Sequence, residues 1–232
     1  MSIKATKKLD VYLEVGNRRT FAAALDWPGW CRAGRDQASA LQALFEYGPR
    51  YSRILRSARL GFRVPRNISS FKILERLKGN ATTDFGAPDR PASSDAKPLD
   101  KAELRRLQRI LKACWRAFDE AVEQAGGKKL RTGPRGGGRK IDAIVEHVLG
   151  AEMGYLSQLG GKVSRSETPL SPLEQTRKAI LNTLAAAERG EIASHGSRGG
   201  KRWPARYFVR REAWHVLDHV WEIEDRLKDA DE

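Results

Sequence analysis

The sequence predicts a small α+β unit followed by an all-α four-helix bundle. Two short apolar runs, at 11–15 and 20–25, indicate a pair of strands. Three prolines within 86–99 interrupt every hydrophobic period, which is typical of a linker. Behind this segment the apolar residues recur at helical spacing over long stretches. The predicted divisions of the chain are an α+β domain at 1–80, a linker at 81–99 and a helical domain at 100–232.

The first domain combines extended pieces with an amphipathic stretch. Gly16 and Asn17 supply the turn between the two predicted strands. The residues from about Asp36 to Arg56 form the amphipathic stretch, and a third extended piece is expected near 71–77. This mixture predicts a small α+β fold.

The second domain is predicted from helix starts and stops. Ser171 is a clear start, because it is an N-cap serine followed by Pro172 in the first turn and Glu174 at the third helical position. Asp100 followed by Glu103 makes a similar start. The four predicted helices span about 100–126, 139–159, 171–190 and 205–228. Four long helices in one domain favour a four-helix bundle.

Three of the four histidines lie in predicted helices. His215 and His219 are four residues apart, so on a helix they project from one face. His147, on another helix, could be a third ligand to the same metal ion. Three neutral nitrogen ligands leave a fourth position open for water or substrate, as in catalytic sites.

A second interpretation of these histidines stays open at this point. The helix face that carries His215 and His219 also carries charged residues, while the apolar stripe lies opposite. A charged, solvated face would give the same pattern. Three acidic residues could instead orient the histidines or simply belong to the helix surface, namely Glu146, Asp218 and Glu222.

The helical domain resembles the DinB/YfiT-like superfamily of metalloenzymes over about 101–230. The resemblance is carried by the segments 144–147, 152–156 and 210–219. It implies a bundle that binds one divalent metal ion, zinc or nickel, through His147, His215 and His219. It also implies a low-molecular-weight thiol cofactor and a thiol-dependent transfer or isomerisation, although an open metal site could equally activate water for hydrolysis.

A glycine-rich basic loop precedes the second predicted helix. Backbone N–H groups at a helix start favour anions, so the loop predicts binding of an anionic small-molecule substrate or cofactor. The spacing is not that of a Walker A loop, and a flexible basic loop would look the same. The candidate binding residues are Arg135, Gly136, Gly137, Gly138 and Arg139.

The first domain resembles HicB-like domains over about 8–56. The resemblance is carried by the segment 25–31, by Gly34 and by the amphipathic stretch that follows. Residues 1–80 hold 16 Lys and Arg against 6 Asp and Glu, an excess that attracts polyanions. The alternative function is therefore a non-catalytic protein whose basic domain contacts nucleic acid or a protein partner. An arginine-rich composition alone would produce the same excess.

Composition limits the cellular context. Cys31 and Cys114 are far apart and belong to no CxxC pair, which argues against a disulfide framework and fits a reducing cytoplasm. No apolar run approaches the roughly 20 residues that span a bilayer. We expect a cytoplasmic protein without a membrane partner, and a homodimer is compatible with this composition.

Overall fold

The computed structural model describes residues 8–132, 138–163 and 170–227. The chain divides into two compact units, Met1–Ala96 and Lys97–Glu232. A four-stranded mixed sheet comes first and long helices follow, so the overall class is α+β as predicted. Among the helices of the described ranges, none is long and apolar enough to cross a membrane.

The described residues of the first unit contain the sheet and three short α-helices. Its strands are β1 (Leu9–Val15), β2 (Thr20–Ala24), β3 (Cys31–Gly34) and β4 (Phe71–Lys78), and its helices are α1 (Gln37–Glu46), α2 (Gly48–Leu55) and α3 (Ala81–Phe85). The strand order is β3-β2-β1-β4, with β1 antiparallel to β2 and parallel to β4. The two predicted strands and the third extended piece are therefore present.

Two features of this unit differ from simple expectation. The short strand β3 pairs with β2 but was not predicted, because its four residues are too few to show a clear period. The amphipathic stretch near 36–56 forms two helices rather than one, since Pro49 lies in the first turn of α2 and lacks the N–H that a continuous helix would need.

An aromatic cluster forms the core beside the sheet. Trp30 is fully buried and donates a hydrogen bond from Nε1 to the carbonyl of Leu44 at 2.8 Å. Its ring stacks on Tyr51 with centroids 5.8 Å apart and meets Phe62 and Phe71 edge-on. These rings attach α1 and α2 to the sheet.

A buried carboxylate holds the end of this unit in place. Glu14 on β1 has no exposed surface and accepts hydrogen bonds from the hydroxyl of Thr83 and from the backbone N–H groups of Asp89 and Arg90. Part of the segment 81–99, which the sequence suggests is a linker, is thus bonded to the sheet.

The second unit is built from four long helices. They are α4 (Lys101–Ala125), α5 (Ile141–Leu159), α6 (Pro172–Glu188) and α7 (Ala205–Leu227). The predicted caps are present, because Asp100 and Ser171 accept hydrogen bonds from the backbone N–H groups of Glu103 and Glu174. Helix α7 packs against both α4 and α5, and α5 also packs against α6. This packing brings the facing sides of α5 and α7 together, where the candidate site lies.

Candidate metal centre

The three histidines predicted as ligands lie together between α5 and α7. His147 projects from α5, and His215 and His219 project from consecutive turns of α7. Each histidine offers one ring nitrogen as a ligand atom, and these three nitrogens all lie within 4.8 Å of one another. The ring centroids form a nearly equilateral triangle with sides of 4.7, 5.0 and 5.1 Å. The three rings could therefore hold a single ion.

One pair of ring nitrogens has the spacing of two ligands on one metal. Nε2 of His147 lies 3.2 Å from Nε2 of His215. A tetrahedral zinc ion with Zn–N bonds of about 2.0–2.1 Å places its nitrogen ligands about 3.4 Å apart. The donor set fits a borderline-soft ion such as zinc or nickel, which imidazole ligands suit.

A carboxylate orients the third histidine. Nδ1 of His219 lies 2.8 Å from Oε2 of Glu222, and the other oxygen of Glu222 accepts a hydrogen bond from Arg226 at 2.9 Å. With its proton on Nδ1, His219 keeps the lone pair of Nε2 for a metal. Of the three acidic residues named from the sequence, Glu222 makes this contact; Glu146 is exposed and Asp218 is half-buried.

Burial favours the neutral form of two of the imidazoles. Desolvation first, and then electrostatic interaction with His219 and His147, lower the pKa of His215 to about 2. Desolvation also lowers the pKa of His147, and the charges of His219 and Arg139 lower it further. Neutral imidazole is the form that binds a metal, so the lowered pKa values favour the form in which these two rings act as ligands.

The solvated-face interpretation of α7 is wrong. His215 and His219 are only 7% and 8% exposed, and the neighbouring Arg211 and Arg226 are buried too. Helix α5 packs over this part of α7 and removes it from water.

Aromatic side chains line one side of the histidines. The ring centroid of Tyr155 lies 5.7 Å from that of His215, and Trp203 packs on Tyr155 at 5.3 Å. Trp203 also meets Tyr207 edge-on at 4.9 Å. The aromatic residues before and at the start of α7 thus act as packing anchors beside the site.

The glycine-rich loop is only partly described. Arg135, Gly136 and Gly137 lie outside the described residues, whereas Gly138 and Arg139 are exposed just ahead of α5. On the two sides of this gap, the carbonyls of Arg131 and Arg139 both accept hydrogen bonds from Arg226, at 2.7 and 2.9 Å. The side chain that supports Glu222 therefore also ties the loop ends to α7.

A buried polar network that sequence reasoning missed lies deeper between the helices. Glu152 and Glu212 have no exposed surface. Glu212 accepts a hydrogen bond from Trp115 at 3.3 Å, and Glu152 pairs with Arg177 at 3.4 Å. Arg177 also donates to both carboxylate oxygens of Asp119 at 2.8 and 2.9 Å. The network draws on all four long helices.

The sequence held a signal for these two acids. Glu152 lies four residues from both Val148 and Leu156, so it stands within the apolar stripe of α5. Glu212 stands in the same way between Phe208 and Val216 on α7. A charge inside an apolar stripe at these spacings indicates a buried ionisable group.

Comparison of the chain with protein-family models, with curated proteins and with solved structures found no match. The resemblances to DinB/YfiT-like and HicB-like proteins therefore stay predictions.

Proposed function

We propose that the chain is a metal-dependent enzyme whose helical unit binds one divalent ion through His147, His215 and His219. The observation that carries this proposal is the meeting of the three imidazoles from two helices, with ring nitrogens within 4.8 Å of one another in a largely buried place. Three histidines supply three ligands, so a tetrahedral site would keep one position for a substrate.

The residues around the histidines support a catalytic centre. Glu222 accepts a hydrogen bond from Nδ1 of His219 and holds its ring, and Arg226 holds Glu222 in turn. Tyr155 and Trp203 provide an aromatic wall on one side of the histidines. A bound divalent ion would lower the pKa of a thiol or a water molecule at the remaining position.

The resemblance to DinB/YfiT-like proteins favours a thiol over water. On that basis the proposed reaction is a thiol-dependent transfer or isomerisation, with zinc or nickel as the metal. Hydrolysis is the alternative reaction for the same site.

Metal content tests the proposal. Tag-free protein is first stripped of metal and then reloaded with zinc or nickel. Its metal content is measured by mass spectrometry beside that of the triple variant His147→Ala/His215→Ala/His219→Ala, treated in the same way. The matched control is His195→Ala, because His195 is exposed and lies outside the cluster. We expect about one ion per chain in the wild type and the control and none in the triple variant. Absence of zinc and nickel from the reloaded wild type would overturn the proposal.

A second candidate function is nucleic-acid binding by the first unit. The stretch 48–70 holds six arginines and no acidic residue. Arg53, Arg56 and Arg59 are exposed at three-residue spacing, and the guanidinium groups of Arg32 and Arg50 both pack on the ring of Tyr47. Such a surface suits the phosphate backbone.

Salt-dependent binding tests this second candidate. Fluorescence anisotropy with a labelled duplex of arbitrary sequence would compare the wild type with Arg53→Ala/Arg56→Ala. The control pair Arg105→Ala/Arg109→Ala removes two exposed arginines from the second unit. The slope of the logarithm of the binding constant against the logarithm of the salt concentration is compared between the variants. A slope that is shallower by about two units in Arg53→Ala/Arg56→Ala, but not in the control pair, would support the candidate. An unchanged affinity and slope would exclude it.

A further inference from the structure

We propose that the histidine site takes an anionic substrate and that Arg211 and Arg139 select it. This inference rests on the function proposed above and adds the chemical class of the substrate. The two arginines come from different elements: Arg211 is on α7, one turn before His215, and Arg139 lies just ahead of α5.

Arg211 is held beside His215 by aromatic rings. The two residues are four apart on α7, so they share a face. The guanidinium carbon of Arg211 lies 4.9 Å from the ring centre of Trp214 and 5.5 Å from that of Tyr155. Tyr155 in turn packs against His215. These ring contacts hold the guanidinium group on the side of the helix that carries His215, where its charge acts in a largely buried environment.

Arg139 is positioned by a chain of hydrogen bonds that begins at the third histidine. His219 bonds to Glu222, Glu222 bonds to Arg226, and Arg226 donates to the backbone carbonyl of Arg139. This chain fixes the backbone of Arg139 relative to the site while its side chain stays exposed. An exposed cation close to a buried site can attract an anion toward it.

Two positively charged side chains flank the histidine site. Arg211 lies one turn before His215 on α7, and Arg139 lies just ahead of α5. The carboxylate of Glu222, which lies beside His219, is bonded to His219 and Arg226. Three neutral imidazoles would also leave the charge of a bound dication uncompensated. An anion is therefore stabilised at this site, whereas a neutral group gains little and a cation is repelled.

The arginines indicate a carboxylate or a phosphate as the recognised group. The planar guanidinium fork pairs with both, and charge-assisted bonds of this kind are stronger than neutral ones. A substrate that also carries a thiol would place its sulfur at the metal and its anionic group at the arginines.

Binding of small thiols to the cobalt-loaded protein tests the selectivity. The probes are 3-mercaptopropionate, 2-mercaptoethanol and cysteamine, which carry an anionic, a neutral and a cationic group beside the same thiol. Thiolate-to-cobalt absorption gives the affinity without any assay of catalysis. We expect 3-mercaptopropionate to bind at least tenfold more tightly than 2-mercaptoethanol, and cysteamine to bind most weakly.

Variants assign this preference to the two arginines. We expect Arg211→Gln to weaken 3-mercaptopropionate about tenfold and Arg139→Ala about threefold, with 2-mercaptoethanol changed less than twofold. Arg139 is exposed, so its variant stays informative even if Arg211→Gln fails to fold. Arg116→Ala, an exposed arginine of α4, is the matched control and should change nothing. Equal affinity of the wild type for the three thiols would overturn the proposed selectivity. An equal loss of 3-mercaptopropionate affinity in Arg116→Ala would overturn its assignment to Arg211 and Arg139.

An anion titration of the metal-free protein tests this inference separately from the proposed function. Inorganic phosphate and acetate are titrated into the metal-free protein while the histidine ring resonances are followed by nuclear magnetic resonance. Shifts of the His147 and His215 signals in the wild type but not in Arg139→Ala would support an anion site even if cobalt failed to bind. The relative response to the two anions distinguishes phosphate from carboxylate recognition. No shift with either anion would overturn the inference.

Discussion

Oε2 of Glu222 lies 2.8 Å from Nδ1 of His219, one turn along the same helix. The same carboxylate accepts a hydrogen bond from Arg226, whose remaining donors hold the carbonyls of Arg131 and Arg139. Glu222 therefore connects a candidate metal ligand to the chain on both sides of the glycine-rich loop. The pKa of Glu222 is lowered, first by its hydrogen bond with His219 and then by the charges of His219 and Arg226. Together these effects outweigh desolvation, so Glu222 stays ionised near neutral pH.

Replacing Glu222 is expected to weaken metal binding without removing a ligand. In Glu222→Gln the carboxylate that holds His219 loses its charge, and losses of such orienting partners typically cost 10–100-fold in metal affinity. Competition with a chromogenic chelator measures the change. Glu146→Gln is the matched control, because Glu146 is exposed on α5 next to His147. Equal zinc affinity in the wild type and both variants would show that Glu222 does not support the site.

The buried acid on α5 is expected to make stability depend on pH. Burial raises the pKa of Glu152 from 4.5 to about 7, although Arg177 opposes the shift. A group with a higher pKa in the folded state stabilises the fold fully below its unfolded pKa. This contribution is lost as the pH rises through the folded value. For the metal-free protein we predict that the free energy of unfolding falls between about pH 4.5 and 7, by up to about 1.4 kcal/mol per pH unit from this group.

Urea denaturation across this range compares the wild type with Glu152→Gln. The amide keeps an acceptor for Arg177 and removes the ionisable group, so the variant should show a flatter dependence on pH. Burial first, and then the charge of Glu152, raises the pKa of Glu212 as well, so the variant also relieves Glu212. Parallel stability profiles for the two proteins would contradict this assignment.

The buried carboxylate of the first unit is expected to stabilise the sheet. Glu14 accepts from Thr83, Asp89 and Arg90, and an amide at this position would turn one of its acceptors into a donor facing N–H groups. Leaving such buried groups unpaired costs about 1–3 kcal/mol, so we expect Glu14→Gln to lower the free energy of unfolding of the first unit by about 2 kcal/mol. Urea denaturation followed by tryptophan fluorescence, with the exposed Glu46→Gln as control, measures it. If both variants matched the wild type, the hydrogen bonds of Glu14 would carry no net stability.

Local signals predicted the features that depend on near neighbours. The caps at Asp100 and Ser171 and the pairing of His215 with His219 on one helical face follow from spacings of three or four residues. The burial of those histidines could not be predicted in this way, because α5 covers them and lies far away in the sequence.

Contacts between residues far apart in the sequence account for the structural features that the sequence did not predict. The partners of Glu14 lie 69 to 76 positions away, so the local sequence gives no sign that a carboxylate is needed there. Strand β3 depends on pairing with β2 rather than on its own pattern. Glu152 and Glu212 were visible as charges within apolar stripes, yet the effect of Glu152 on the pKa of Glu212 follows only from the packing of α5 against α7.

X-ray absorption at the zinc edge of the zinc-loaded protein tests the central claim most directly. Three histidine ligands with an open position predict about three imidazole nitrogens at about 2.0–2.1 Å and one oxygen from water. His147→Ala should lose one imidazole from this set. A spectrum with sulfur ligands, or one in which His147→Ala keeps the imidazole count of the wild type, would contradict a metal centre formed by His147, His215 and His219.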